Sequence, residues 1–421
     1  MTRPMKAFIP SQRIYWLMTL QTQLRSLSLV LFGAAMMLTS VSIAQSYRGQ
    51  RAGNISPRGR VQECNHAGAI VQDLDDRIFQ DLDGGACVLN GARFDEIDMK
   101  PNKQYGGSLV LDFSGMDLRN SSWIAVSVYT DHRPVFRGAD ASGANFSAMS
   151  MHSSPRKMGK PMKGVDATDF IATKTKWQGN IMEEWYLQGA DFSGADLSSS
   201  QLIEWMTDES NYQEAGDFGA LAGAESGNRQ LNLSGSRFYN CTIDDCMLPG
   251  TDFSDALVEL TNFIGTEKNP TMLNGSNFES AYLKRTDFTQ VNLSGAVMTK
   301  VRMENCNLES TKLAGASFID AELTDCTFSE DCDFNGTSFK GADLTGVNFN
   351  GADLTNANLA GCSTKGLTGS LPQLPLDCRI ERDMKVLKDS TGVELGQIDL
   401  GTYSIVVNEG RYSDGLREKG N

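Results

Sequence analysis

Nine cysteines and three histidines are the side chains of this 421-residue sequence best suited to covalent or metal chemistry. The histidines, His66, His132 and His152, show neither the spacing of zinc ligands nor that of a catalytic triad. Asp331-Cys332-Asp333-Phe334-Asn335-Gly336 matches the first half of an EF-hand loop, but Ala342 stands where that loop needs a bidentate Glu. Asp73, Asp75, Asp76, Asp81 and Asp83 read as a solvated helix face and loop rather than a binding site. No Gly-x-Ser-x-Gly, phosphate loop or dinucleotide fingerprint occurs. The sequence therefore points to a protein that is not an enzyme and needs no cofactor or metal.

The cysteines have a different logic. Cys87, Cys241, Cys246, Cys306, Cys326, Cys332 and Cys362 all fall on one column of a five-residue period, where an unpaired thiol acts as a small buried filler. Taking every fifth residue from Leu233 to Phe328 gives a bulky apolar side chain at nineteen of twenty places, Lys268 being the exception. Two residues before each centre, from Ser236 to Cys326, stand only Ser, Cys, Thr, Ala or Val. After Phe328 one extra residue enters near Asp331, and the register resumes from Phe334 to Leu359. A period of five suits neither an α-helix nor a flat strand. It suits a chain that turns a corner every five residues, with one large and one small side chain inward and Gly or Asn at the corners.

The run Gly341-Ala342-Asp343-Leu344-Thr345-Gly346-Val347-Asn348-Phe349 resembles the pentapeptide repeat family, whose unit is Ala-(Asp or Asn)-Leu-x-x. The resemblance implies an all-β fold: a right-handed quadrilateral β-helix solenoid with four pentapeptides per coil, carrying loop insertions here. It is specific over 233–364 and fair over Leu187 to Leu202. Over Cys87 to Met99, Leu111 to Val128 and Phe136 to Met151 it degenerates, so regular coils are not expected before residue 187. Each coil of a solenoid buries its interior only against its neighbours, so both ends need caps. Ile70, Val71, Leu74, Ile78 and Phe79 share one helical face and predict an N-terminal capping helix. Alternation in Tyr403-Ser404-Ile405-Val406-Val407, with a hairpin from Val386 to Leu400, predicts a small C-terminal β cap.

Residues 1–44 carry Arg3, Lys6, Arg13 and Arg25, no acid, an apolar run from Leu27, and small residues at Ser42-Ile43-Ala44. That is the form of a secretory signal peptide, which predicts an exported, periplasmic or extracellular protein; an uncleaved membrane anchor is the alternative. Residues 45–63 read as a flexible leader, 64–186 as N-terminal cap and irregular coils, 187–364 as regular coils with an insertion at 203–230, and 365–421 as a C-terminal cap. In an exported chain, Cys64 with Cys87 and Cys362 with Cys378 are the candidate disulfides, each closing one end. The formal net charge is -14, with 38 basic and 52 acidic residues, which argues against direct contact with nucleic acid phosphates.

Insertions in a solenoid emerge as surface loops. The basic loop at 152–163, with Arg156, Lys157 and Lys160, and the acidic loop at 203–230, with Trp205 and Tyr212 as aromatic anchors, are therefore the candidate partner-binding sites. Trp177, Trp185 and Tyr186 are expected to line the same surface. The leading expectation is an exported, rigid scaffold that binds another protein or an envelope component along a flat face or through these loops, with dimerisation left open. Two alternatives stand beside it. Some members of the resembled family are acidic rods that mimic duplex DNA and bind DNA gyrase, and 233–364 holds eighteen acids against eight bases. A β-helix enzyme acting on polysaccharide through 100–230 is the other.

Overall fold

The computed structural model describes residues 89–94, 98–99, 112–130, 134–153, 164–207, 230–266, 270–388, 392 and 394–407. The chain divides into two compact units, 1–56 and 57–421, and all described residues belong to the second. The expected signal segment, leader and capping helix at 70–79 lie outside the described residues, as do Cys64 and Cys87. Among the described residues there is no helix, and none that is long and apolar enough to cross a membrane.

Each pentapeptide makes one side of a four-walled coil. Its central residue and the residue two before it point inward: Ser276 and Phe278 are both fully buried, and Asn277 between them faces out. The walls are parallel ladders between successive coils. The third wall is a continuous sheet of Arg237–Tyr239, Leu257–Glu259, Tyr282–Lys284, Arg302–Glu304 and Glu322–Thr324. Ile181–Glu183, Gln201–Ile203, Thr242–Asp244 and Asn262–Ile264 form the fourth. The other two walls are joined by single parallel bridges such as Asp252↔Asn277 and Asn292↔Lys312. Backbone groups next to the interior are satisfied between coils: Phe278 N–H donates to Val297 O at 2.7 Å, and Val297 N–H to Ser276 O at 2.9 Å.

The corner residue, two after the centre, lies in the left-handed region at most corners, whether or not it is glycine: Gly295 has φ 68° and Lys300 has φ 56°. Gly removes the steric penalty there, and its frequency in the sequence reflects that. Most small polar residues inside donate to a backbone carbonyl, several of them to that of a central residue on the preceding coil, while the buried Thr251 Oγ1 has no partner. Thr311 Oγ1 reaches Phe288 O at 2.8 Å, Thr337 Oγ1 reaches Leu313 O at 2.8 Å, and Cys332 Sγ reaches Leu308 O at 3.0 Å. Buried hydroxyls so paired avoid the cost of an unmade hydrogen bond, about 1–3 kcal/mol each.

The structure corrects the expected register at Lys268. That pentapeptide is no side of a coil: Met247 pairs with Met272 and Asp252 with Asn277, so this coil is 25 residues long, whereas Met272 pairs with Asn292 after 20. Phe253 consequently stacks on Phe278, with centroids 4.7 Å apart, and not on Leu273. The neck of the insertion is pinched: Thr271 Oγ1 donates to Ile264 O, and a Cβ on Gly265 would lie 2.7 Å from Thr271 N. Lys268 itself lies outside the described residues; an unpaired ammonium at an interior position would be costly, which accords with a coil that does not count its pentapeptide.

Coils also form well before residue 187. Asp112, Val135, Asp166 and Tyr186 bridge in succession along the first wall. The pattern is hard to read there because the large and small inward positions exchange. Phe170 occupies the usually small position and Ala172 the centre; likewise Trp205 precedes Thr207, and all four are buried. The pairs roughly conserve interior volume, which close packing tolerates. Interior indoles also keep a partner: Trp123 Nε1 donates to Ser121 Oγ at 2.7 Å, and Trp177 Nε1 to Thr175 Oγ1 at 2.9 Å.

At the C-terminal end, Cys378–Lys388 and Glu394–Val407 form an antiparallel hairpin. Its base closes the last coil. Tyr403 pairs with Leu367, while Thr364 Oγ1 donates to Ile405 O at 2.8 Å and accepts from Ile405 N–H at 2.8 Å. Tyr403 and Ile405 are buried, so a strand covers what would be an open sheet edge. The outer part of the hairpin exposes Met384, Val386, Leu387, Ile398 and Leu400.

Candidate functional site

The rigid feature this fold offers a partner is a flat wall, on which outward residues recur once per coil about 4.8 Å apart. The walls differ sharply in charge. The fourth wall and the corner that ends it carry Glu183, Glu184, Glu204, Asp244 and Asp245 in the earlier coils. Asp287, Glu309, Glu330 and Asp331 follow in the later ones. From Ile181 to Asn350 no Lys or Arg lies on this wall among the described residues. Between the acids stand exposed aliphatic side chains, Ile181 at 60% and Ile264 at 39% exposure. Asp245 shows the resulting electrostatic pressure. Burial and the neighbouring charge of Asp244 push its carboxyl pKa up, and its Oδ1 is enclosed without a hydrogen-bond partner.

The third wall behaves in the opposite way. Glu304 sits between Arg302 at 2.7 Å and Lys284 at 3.5 Å, Arg302 also reaches Glu322 at 3.8 Å, and its guanidinium lies 5.4 Å from the Tyr282 ring centroid. The Tyr282 hydroxyl holds the Glu304 carboxyl below its usual pKa; burial opposes this, and Arg302 and Lys284 reinforce it. Charges on the third wall thus neutralise one another, whereas on the fourth like charges stand side by side, as at Asp244 and Asp245.

Several residues singled out in the sequence are placed elsewhere. Trp205 is 0% exposed, and its indole N–H donates to Met182 O at 3.2 Å inside the solenoid. It cannot anchor a partner, and the expectation is corrected: an indole at the small inward position packs in the core. Trp177, Trp185 and Tyr186 are buried as well, so they do not line a binding surface. Tyr212, Arg156, Lys157 and Lys160 lie outside the described residues. Cys362 and Cys378 are separate, half-buried thiols at the C-terminal cap; burial raises each pKa to about 11, and Cys362 adds to the rise at Cys378.

Two interior thiols follow the same trend: burial lifts Cys241 to about 11 and Cys246 to about 12. Among the described residues no group of three or more His, Cys, Asp or Glu is arranged to hold a metal ion; Asp331 lies at the corner with the extra residue, and Asp333 bridges Lys312 on the first wall. The sequence reading missed the acid wall because its members are about 20 residues apart. Sorting outward residues by wall would have found it, provided that the insertion at Lys268 had been removed from the count.

Residues 281–359 match the family model for the pentapeptide repeat region. No curated protein matches the chain. Among solved structures, HetL, a pentapeptide repeat protein involved in heterocyst differentiation regulation from the cyanobacterium Nostoc sp. strain PCC 7120, is 15% identical. The match covers 61% of this chain and 88% of HetL, with a TM-score of 0.38. Full-length QnrB1, a plasmid-mediated fluoroquinolone resistance protein, is 18% identical over 64% of this chain and 92% of its own, with a TM-score of 0.20. Rfr23, a pentapeptide repeat protein of the cyanobacterium Cyanothece 51142, is 16% identical over 44% and 90%, with a TM-score of 0.17.

Proposed function

We propose, from the premise that this chain is a pentapeptide repeat protein, that it is an exported, non-catalytic scaffold holding a basic partner protein against its fourth wall. The charge segregation carries this reading. A wall with nine acids, eight of them at least partly exposed and Glu184 buried, no described base and interspersed isoleucines offers both long-range attraction and apolar contact to a complementary surface. Export rests on the basic and apolar character of residues 1–44.

The test is capture of partners by the mature chain compared with a variant carrying Asp244→Lys, Asp287→Lys and Glu309→Lys. Capture should fall in that variant and persist in Arg302→Glu, which alters the third wall. It should also weaken with added salt, as screened charge attraction does. Equal capture by the fourth-wall variant and the parent sinks the reading. The same acid wall favours a second reading, mimicry of duplex DNA toward a DNA-processing enzyme. A gyrase supercoiling assay with the chain lacking residues 1–44 separates the two, because only the mimic inhibits.

A further inference from the structure

The parallel register of the third and fourth walls brings two thiols together. Met303 pairs with Leu323 and Asn307 with Thr327, which sets Cys306 and Cys326 one above the other on adjacent coils. The column reads Cys241, Thr261, Thr286, Cys306, Cys326, Val347, so this is its one pair of adjacent cysteines. Both side chains are inside, at 2% and 0% exposure. Met298 and Met303, also fully buried, place thioethers in the interior of the same coil as Cys306.

We propose that Cys306 and Cys326 form a two-coordinate thiolate site for a soft monovalent d10 cation of the Cu(I) class. Spacing selects this chemistry over a disulfide. Adjacent strands hold side-by-side Cβ atoms about 4.8 Å apart, whereas a disulfide wants them at about 3.8 Å. Two metal–thiolate bonds of about 2.3 Å in line span about 4.6 Å, close to the coil rise. Thiolate sulfur is the ligand type that favours such a cation, and a two-coordinate site needs no third His or acid.

The thiols also influence each other's titration: the neighbouring Cys326 lowers the Cys306 pKa against the opposing effect of burial, and Cys306 together with burial raises that of Cys326. Both also contact backbone carbonyls: Cys306 Sγ lies 3.5 Å from Leu283 O and Cys326 Sγ 3.7 Å from Met303 O. On binding, two protons leave the thiol pair and one monovalent cation enters between the sulfurs. The bis-thiolate then carries one negative charge, as does a thiolate accepting from a thiol. No electron is transferred, because the cation enters and stays in its d10 state.

The experiment is anaerobic titration of the full chain with Cu(I) held by a chromophoric chelator, with Ag(I) as a redox-stable second probe. One high-affinity equivalent per chain is expected, together with a rise in thermal midpoint. Cys306→Ser and Cys326→Ser should each lose more than about a hundredfold in affinity, and Cys241→Ser should retain it. Cys306→Thr guards against misfolding, since Thr already occupies this column at Thr261 and Thr286. Retention of the tight equivalent in folded Cys306→Thr, or its absence from the parent chain, overturns the assignment.

Discussion

Replacing Phe278 by Ala tests whether the interior ladder holds the solenoid together. The ring is fully buried, stacks on Phe253 at 4.7 Å with an interplanar angle of 1°, and meets Phe288 edge-on at 6.3 Å. Burial and cavity effects place a core Phe→Ala change at about 3–5 kcal/mol, and stacked partners put this site at the upper end. With a urea dependence of about 2 kcal/mol/M, the unfolding midpoint should fall by about 2 M. The described tryptophans, Trp123, Trp177, Trp185 and Trp205, all lie in coils before the mutated one, so fluorescence reports a distant part of the stack. Far-UV circular dichroism reports the whole. If neighbouring coils are strongly coupled, both signals shift together; if coupling is weak, fluorescence lags. Val297→Ala, on the outward side of the next coil, should change stability by less than about 0.5 kcal/mol. A Phe278→Ala loss no larger than that of Val297→Ala would refute the packing argument.

Three further outcomes follow from individual sites. Gly265→Ala should destabilise the neck of the 266–270 insertion, because the new Cβ would meet backbone atoms of Thr271 and Gln290 at 2.7 and 3.0 Å; proteolysis within the insertion should accelerate, and an unchanged digestion rate contradicts this. Asp196 is held below its usual pKa by Ser198 and Gln178, which outweigh its burial, so its stabilising effect is present at neutral pH and lost as pH falls through the lowered folded-state value. Asp196→Asn should therefore lessen the loss of stability on acidification in that range, whereas Asp245, raised in the fold, should titrate above the usual aspartate value by carboxyl NMR. Oxidation of Cys362 with Cys378 should pin the hairpin to the last coil and add about 3 kcal/mol for a loop of this length; peptide mapping that recovers both thiols free under oxidising conditions removes the pairing.

The interior was legible in the sequence because selection against polar groups acts there every five residues. Leu283, Phe288, Leu293 and Phe318 are all fully buried, as their spacing predicts. What escaped was of two kinds. At Lys268 the count continued through a pentapeptide that carries no side of a coil, since a period alone does not distinguish a residue on the ladder from one looped out between rungs. Before residue 187 the large group moves between two inward positions, as at Phe170 with Ala172, and a pattern tied to one position loses phase although volume is conserved. Trp205 failed for a related reason: an indole next to an acidic insertion reads as an exposed anchor, but its position two before Thr207 was the stronger signal.

The surface obeys no such local rule, and this decides where binding information can reside. Neighbours on a wall are a full coil apart in sequence, so overall composition cannot tell a self-neutralising face from one that accumulates charge. Glu304 and Glu309 illustrate the difference: five residues apart, the first lies between Arg302 and Lys284 on the third wall, and the second lies on the acid wall. Each insertion that is not a whole coil moves every later residue to a new height but leaves the wall sequence intact only if the chain re-enters at the same corner. The pinch at Gly265 and Thr271 performs that re-entry for the 266–270 loop, placing Asp287 above Asn262 on the fourth wall. A mutation that loosened this neck would act twice, on the stacking of Phe263 over Phe288 at 4.7 Å and on the alignment of acids before and after the insertion. The continuity of the charged face is therefore a packing property before it is an electrostatic one.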